Sequence, residues 1–196
     1  MALPETAFPL HAVEASPGID VARAEAAVAE LLVALGRDLG DEHLADTPRR
    51  VVDGLRELLE PEDFAFTTFP NPGAYDELVL VRDIPFTSLC RHHLLPFRGV
   101  AHVGYLPGAR IAGLSKLARV VDRHARDLQV QEELTVRIAD DLDRNLEARG
   151  VGVVIHAEHL CMSVRGIRAD GATTVTSAFR GEIAADPALR ARFRTD

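Results

Sequence analysis

The sequence predicts an α+β fold in which an antiparallel sheet is backed by helices. Three observations carry that expectation. Apolar spacing places two helices first, then two strands, two helices and two strands, an order without the regular strand–helix alternation of a parallel sheet. The 196 residues are 47% apolar and 27% charged, an ordinary globular balance that excludes wholesale disorder. At roughly 150 residues per domain, this length favours one compact domain with a real core over three or more.

Residues 1–18 carry several Pro and Ala with no clean period and read as a flexible tail. From Asp20 the pattern changes: Val21, Ala24, Val28, Leu31, Leu32 and Leu35 fall at helical spacing, and Gly36 with Gly40 ends the run. Thr47-Pro48, a capping residue followed by Pro in the first turn, opens a second helix that buries Val51, Val52, Leu55, Leu58 and Leu59. A Pro-rich loop over 61–73 closes an N-terminal helical segment, 19–73, and the main domain occupies 74–196. Strands are predicted over 77–84 and 97–106, the second alternating Val100, His102 and Gly104 against Ala101, Val103 and Tyr105. Two helices follow. Ser115 is expected to cap the first, which carries Leu117, Val120, Val121 and Leu128; the second runs over about 131–149 with Leu134, Ile138, Leu142 and Leu146 on one face. Strands over 152–164 and 172–179 come next, and Asp186-Pro187 opens a short last helix.

The formal charge is −8, so non-specific binding to nucleic acid or anionic membrane, which needs a basic face, is disfavoured. No Trp and 5% aromatic residues also argue against a base-stacking platform. There is no long uncharged apolar run to form a transmembrane helix, and MALPETAFPL lacks the basic start and apolar stretch of a secretory signal. The expected location is the cytoplasm. In a reducing compartment, Cys90 and Cys161 are expected free, buried or metal-bound.

Cys90-Arg91-His92-His93 is the densest chemical spot. Thiolate and imidazole from one tight turn form a favoured zinc set, although a buried structural Cys beside incidental histidines has the same spelling. In an apparent strand, His159, Cys161, Ser163 and Arg165 would share one face, which suits the wall of a polar pocket. If Cys161 joins Cys90 and His93 on a metal, three protein ligands leave a fourth tetrahedral position open, the arrangement of catalytic zinc. A Cys90–Cys161 disulfide is the rival, and it leaves the adjacent histidines unexplained. Ser115, Lys116 and Arg119 sit where a helix begins. They form either an anion site suited to phosphate or a capped amphipathic helix with solvated cations. Glu132 lies in Gln129-Val130-Gln131-Glu132-Glu133; a buried carboxylate can accept from the ring N–H and amine of guanine, and an ordinary first-turn acid looks the same.

Six segments in order, ADTPRRV, SLCRHHLLPF, HVGYLPG, GLSKLARVVDRHARDLQVQEELT, EHLCMSVRGI and TVTSAFRG, resemble the GTP cyclohydrolase I family over roughly residues 45–181. The resemblance implies the tunnelling fold, with subunits closing into a barrel, a toroidal homo-oligomer that is typically a decamer, and active sites between subunits. It implies Cys90, His93 and Cys161 as zinc ligands, with His92 and His159 handling protons around the purine ring. Ser115, Lys116, Arg119 and Arg165 would hold the triphosphate, with Arg50 reaching in from a neighbour; Gln131 and Glu132 would lie against ribose and guanine. The implied reaction is zinc-dependent hydrolysis and rearrangement of GTP to 7,8-dihydroneopterin triphosphate and formate, an entry to folate and pterin synthesis. Variants of that outcome are an enzyme stopping at the ring-opened formamidopyrimidine nucleotide and a silent zinc-binding homologue. One departure stands out: Arg91 occupies a place where the family usually has an acid. A cation there would disfavour imidazolium at His92, or add a phosphate contact. His11, His43, His102, His124 and His156 match no functional position and are expected to be satisfied or exposed.

Overall fold

A computed structural model describes residues 18–194, so His11 and residues 1–17 of the expected tail lie outside the described part. The chain divides into two compact units, one ending at Arg56 and one starting at Glu57. In the first, α1 (Val21–Ala34) is capped by Asp20, whose carboxylate accepts from the Arg23 amide at 3.1 Å, and the chain turns away at Gly36, where φ is +74°. No α1 residue is fully buried, and Leu31 and Val33 are more than half exposed. Helix α2 (Thr47–Leu59) begins at the predicted Thr47-Pro48 and crosses from the first unit into the second.

The second unit is built on a five-stranded sheet. Its strands are β2 (Val79–Cys90), β3 (Pro96–Leu106), β5 (Leu128–Gln129), β6 (Gly150–His159) and β7 (Thr174–Arg180), in the order β5-β2-β3-β6-β7. All neighbours are antiparallel except the two-residue β5, which pairs parallel to β2. A separate ribbon joins β1 (Thr68–Pro70) to β4 (Arg110–Ala112). Helices α3 (Leu114–Ala125) and α4 (Gln131–Leu146) cover one face. There the alternate residues Phe97, Ala101, Val103 and Tyr105 of β3, with Val151, Val153 and Ile155 of β6, meet Leu117, Val121, Leu134, Ile138 and Leu142. Each such buried aliphatic side chain contributes about 1.5–3 kcal/mol.

The opposite face is covered by α6 (Gly181–Ala185) and α7 (Pro187–Ala191), with a second cluster of Leu106, Val154, Ile183 and Phe193. The paired glycines Gly104 and Gly152 admit the Phe193 ring: a Cβ on Gly152 would stand 2.4 Å from its Cζ. On this face His102 and His156 meet edge to face at 5.3 Å. Nδ1 of His102 accepts from the Asp83 amide at 3.2 Å, yet Nε2 of both rings is buried without a hydrogen-bond partner, so neither is the satisfied histidine expected. No described helix is long and apolar enough to cross a membrane.

Three sequence expectations are corrected. Strand β2 does not stop at 84. It absorbs a bulge at Asp83, where φ is +55°, and continues to Cys90. Strand β6 does not reach 164, because the chain turns after His159 into α5 (Leu160–Ser163), closed by the Val164 amide donating to the Leu160 carbonyl. The shared strand face of His159, Cys161, Ser163 and Arg165 therefore does not exist. Finally, Gly113 rather than Ser115 is the N-cap of α3; its amide is held by the Thr67 carbonyl at 3.1 Å, so the helix starts earlier and Ser115 is an exposed first-turn residue.

Candidate active site

Cys90 ends β2, and the next four residues form the tight β2–β3 turn. The Cys90 amide donates to the Leu95 carbonyl at 2.9 Å, and its own carbonyl accepts from the His93 and Leu94 amides. Leu94 takes a left-handed backbone, φ +54°, to close the turn, which presents His92 and His93 outward. Cys90 Sγ is 3.5 Å from His93 Nδ1 and 4.0 Å from His92 Nδ1. Cys161, delivered by α5, places its Sγ 4.0 Å from Cys90 Sγ. Donor atoms of Cys90, His92 and His93 all lie within 4.8 Å of one another.

This donor set fits zinc. Tetrahedral zinc with ordinary bond lengths gives S···N edges of about 3.6 Å and S···S edges of about 3.8 Å. The Cys90–His93 separation matches the first and the Cys90–Cys161 separation lies close to the second, and His92 Nδ1, 4.0 Å from Cys90 Sγ, belongs to the same cluster. Burial, reinforced by the neighbouring Cys90 thiol, pushes the Cys161 thiol up, and Arg165 pulls the other way. The Cys161 thiol is thus a reluctant anion until a cation draws it out.

His159, the last residue of β6, lies on the helix-covered face and stacks on Phe97, with ring centroids 4.6 Å apart and planes 1° from parallel. Burial lowers its pKa, with Glu132 opposing. Its Nε2 meets Gln131 Oε1 at 2.7 Å. Gln131 is 2% exposed, and its Nε2 donates to the Ile155 and Thr174 carbonyls and to Thr176 Oγ1. Its side chain is therefore hydrogen-bonded inside the chain. Glu132 beside it is exposed.

Ser115, Lys116 and Arg119 lie in the first two turns of α3, with Lys116 Nζ 5.6 Å from the Phe64 ring centre. Among the described residues no hydrogen bond or ion pair joins these three to the cysteine–histidine cluster. Arg165 follows α5 and is exposed. Arg50 belongs to the other unit and pairs with Asp46 at 3.0 Å. Arg91 is engaged by other partners: its guanidinium grips Glu133 of α4 at 3.1 Å and the Leu128 carbonyl at 3.2 Å. Sequence reasoning misses the Gln131 anchor and this clip. The Gln131/Thr135 pair, four residues apart on an otherwise apolar helix face, is the one signal that points to a buried polar network.

The family profile for GTP cyclohydrolase I matches residues 24–196. The chain is 55% identical to GTP cyclohydrolase 1 of Mycolicibacterium gilvum (strain PYR-GCK) over 183 residues, 90% of each chain. It is 56% identical to that of Streptomyces coelicolor over 171 residues, 84% of each. Against that of Mycobacterium leprae (strain TN) it is 50% identical over 198 residues, 97% of this chain and 96% of the relative. With matches spanning nearly the whole length of both partners, the chain belongs to the GTP cyclohydrolase I family.

Proposed function

We propose that the chain hydrolyses and rearranges GTP to 7,8-dihydroneopterin triphosphate and formate, with zinc held by Cys90, His93 and Cys161. The observation that supports this most is the convergence of the β2–β3 turn and α5 on one thiol–imidazole cluster, with His159 directly before α5. When bound, zinc supplies Lewis acidity that makes water a nucleophile near neutral pH. His92 stands at the rim of the cluster and His159 on its Phe97 platform, and both exchange protons with the purine ring and its departing nitrogens. Glu132, in the first turn of α4, accepts from the ring N–H and exocyclic amine of guanine; adenine has no such donor pair, so the carboxylate selects the base. Ser115, Lys116, Arg119 and Arg165 hold the triphosphate, with Arg50 supplied by a neighbouring subunit. Gln131 acts behind His159. Opening of the imidazole ring, loss of formate and reclosure on the freed amines complete the reaction.

The same reading makes the fold a tunnelling fold, its strands closing between subunits into a toroidal homo-oligomer, a decamer, in the cytoplasm, at the entry to folate and pterin synthesis. The decisive experiment incubates zinc-loaded protein with GTP and follows nucleotide mass and free formate together. Formate with a dihydroneopterin triphosphate mass is expected. Hydrated GTP without formate would mean an enzyme halted after ring opening, and unchanged GTP would overturn the reading.

A further inference from the structure

We propose that Gln131 is a positioning residue that holds His159 as the Nε2–H tautomer, which leaves Nδ1 as the one ring atom that exchanges protons with substrate. This rests on the reading of His159 as a proton-transfer group.

The hydrogen-bond directions around Gln131 have a single solution. Its amide nitrogen faces the backbone carbonyls of Ile155 at 3.3 Å and Thr174 at 3.1 Å, which can only accept. Turning the amide over would set its oxygen against both carbonyls in a site almost without solvent. The third partner agrees. Thr135 Oγ1 donates to the Gln131 carbonyl at 2.7 Å, so across the 2.6 Å Thr135–Thr176 contact the donor is Thr176. The Thr176 oxygen is then free to accept from Gln131 Nε2 at 3.0 Å. Each hydroxyl hydrogen has one place to go, and the amide oxygen is left facing His159 Nε2 at 2.7 Å. An oxygen acceptor at that distance requires a hydrogen on Nε2.

Turning the ring over within its own plane would put Cε1 where Nε2 now meets Gln131 Oε1 and forfeit that hydrogen bond. The ring lies flat on Phe97, itself fully buried, with planes 1° from parallel. Nδ1 has no hydrogen-bond partner among the described residues. The network also spans three elements, since Gln131 and Thr135 belong to α4, Ile155 to β6, and Thr174 and Thr176 to β7. The imidazole is thus referenced to the sheet and the helix together, as an orienting group must be.

Two measurements test this. Neutron diffraction from deuterium-exchanged crystals of the zinc-loaded protein, grown at a pH where His159 is neutral, should show deuterium on Nε2 and none on Nδ1. Deuterium on Nδ1, with the Gln131 amide reversed, would overturn the proposal. In solution, Gln131→Met keeps the shape and removes the acceptor. It should lower kcat by about 100-fold, the scale of a misplaced reacting group, with KM for GTP within about twofold and zinc content unchanged. Ile138→Val, a core change on the same helix, calibrates plain destabilisation. If kcat of Gln131→Met falls no further than that of Ile138→Val, Gln131 is a packing residue and the proposal fails. His159→Ala with wild-type turnover would instead overturn the proton-transfer reading, whichever nitrogen carries the deuterium.

Discussion

Arg91 shows how a residue of the unexpected sign is accommodated one position from Cys90. The Glu133 carboxylate, which also pairs with Arg137 at 3.3 Å, takes up its charge, and both partners of the clip stay substantially exposed. Exposed pairs of this kind are worth about 0–1 kcal/mol. Arg91→Ala is therefore expected to leave stability within about 1 kcal/mol of wild type and turnover within a few-fold. Arg91→Glu, which sets two acids face to face, should be worse than Arg91→Ala in urea unfolding, and Glu133→Arg in the same chain should restore it. Failure of the swap to restore stability would show that Arg91 acts through something other than Glu133. His102 carries a second expectation at this scale. Burial holds its pKa below the ordinary 6.5, against the pull of Asp83. The unfolded chain therefore takes up this proton first as pH falls, so the contribution is complete above about pH 6.5 and is lost progressively below it. Between about pH 7.5 and 5.5, wild type should lose more stability than His102→Asn, which keeps an acceptor for the Asp83 amide. Equal losses would mean that His102 gains its proton within the fold.

At the scale of elements, the long helices and the two central strands were legible because their apolar residues repeat at 3.6 or 2 over ten or so positions. Strands β1, β4 and β5 span two or three residues and carry no period. The far half of β2 was hidden by Arg82-Asp83 at its bulge and by Pro85, punctuation that ordinarily ends a strand. His159-x-Cys161-x-Ser163-x-Arg165 alternates as a strand would, but its period of two is accidental, and a four-residue helical turn delivers Cys161 to Cys90. The cysteines and histidines that cluster were legible by type; the Gln131 network was not, since its partners are scattered over 43 positions of chain, to Thr174, and beyond. The glycine pair under Phe193 gives a prediction for this scale. Gly152→Ala must push the ring off the sheet, at about 1–3 kcal/mol by thermal unfolding, whereas the same change at Gly54, where a Cβ meets nothing within 4 Å, should be neutral or stabilising. Comparable melting temperatures for the two variants would show that Phe193 does not depend on that gap.

For the whole molecule, zinc would tie the β2–β3 turn to α5, two segments that otherwise meet through a 4.0 Å contact between thiols. Chelation with removal of the chelate should abolish turnover of GTP and lower the melting temperature by several degrees, with both restored by stoichiometric zinc. Turnover that survives complete zinc loss would remove the metal from the proposed reaction. The ladder that places these groups has a further consequence. Leu89 lies opposite Pro96, and Phe97 opposite His159, so β3 sets how far the end of β2 stands from the end of β6. One residue gained or lost within β3 would reverse which side of the sheet its neighbours face, and two would shift them by roughly 7 Å along it. Length variation inside this ladder is thus lethal to the site in a way that most single replacements are not. A library of one-codon insertions and deletions, selected for growth dependent on this enzyme, should be empty across residues 96–106 and populated where the chain is bound by no strand, as over 169–173.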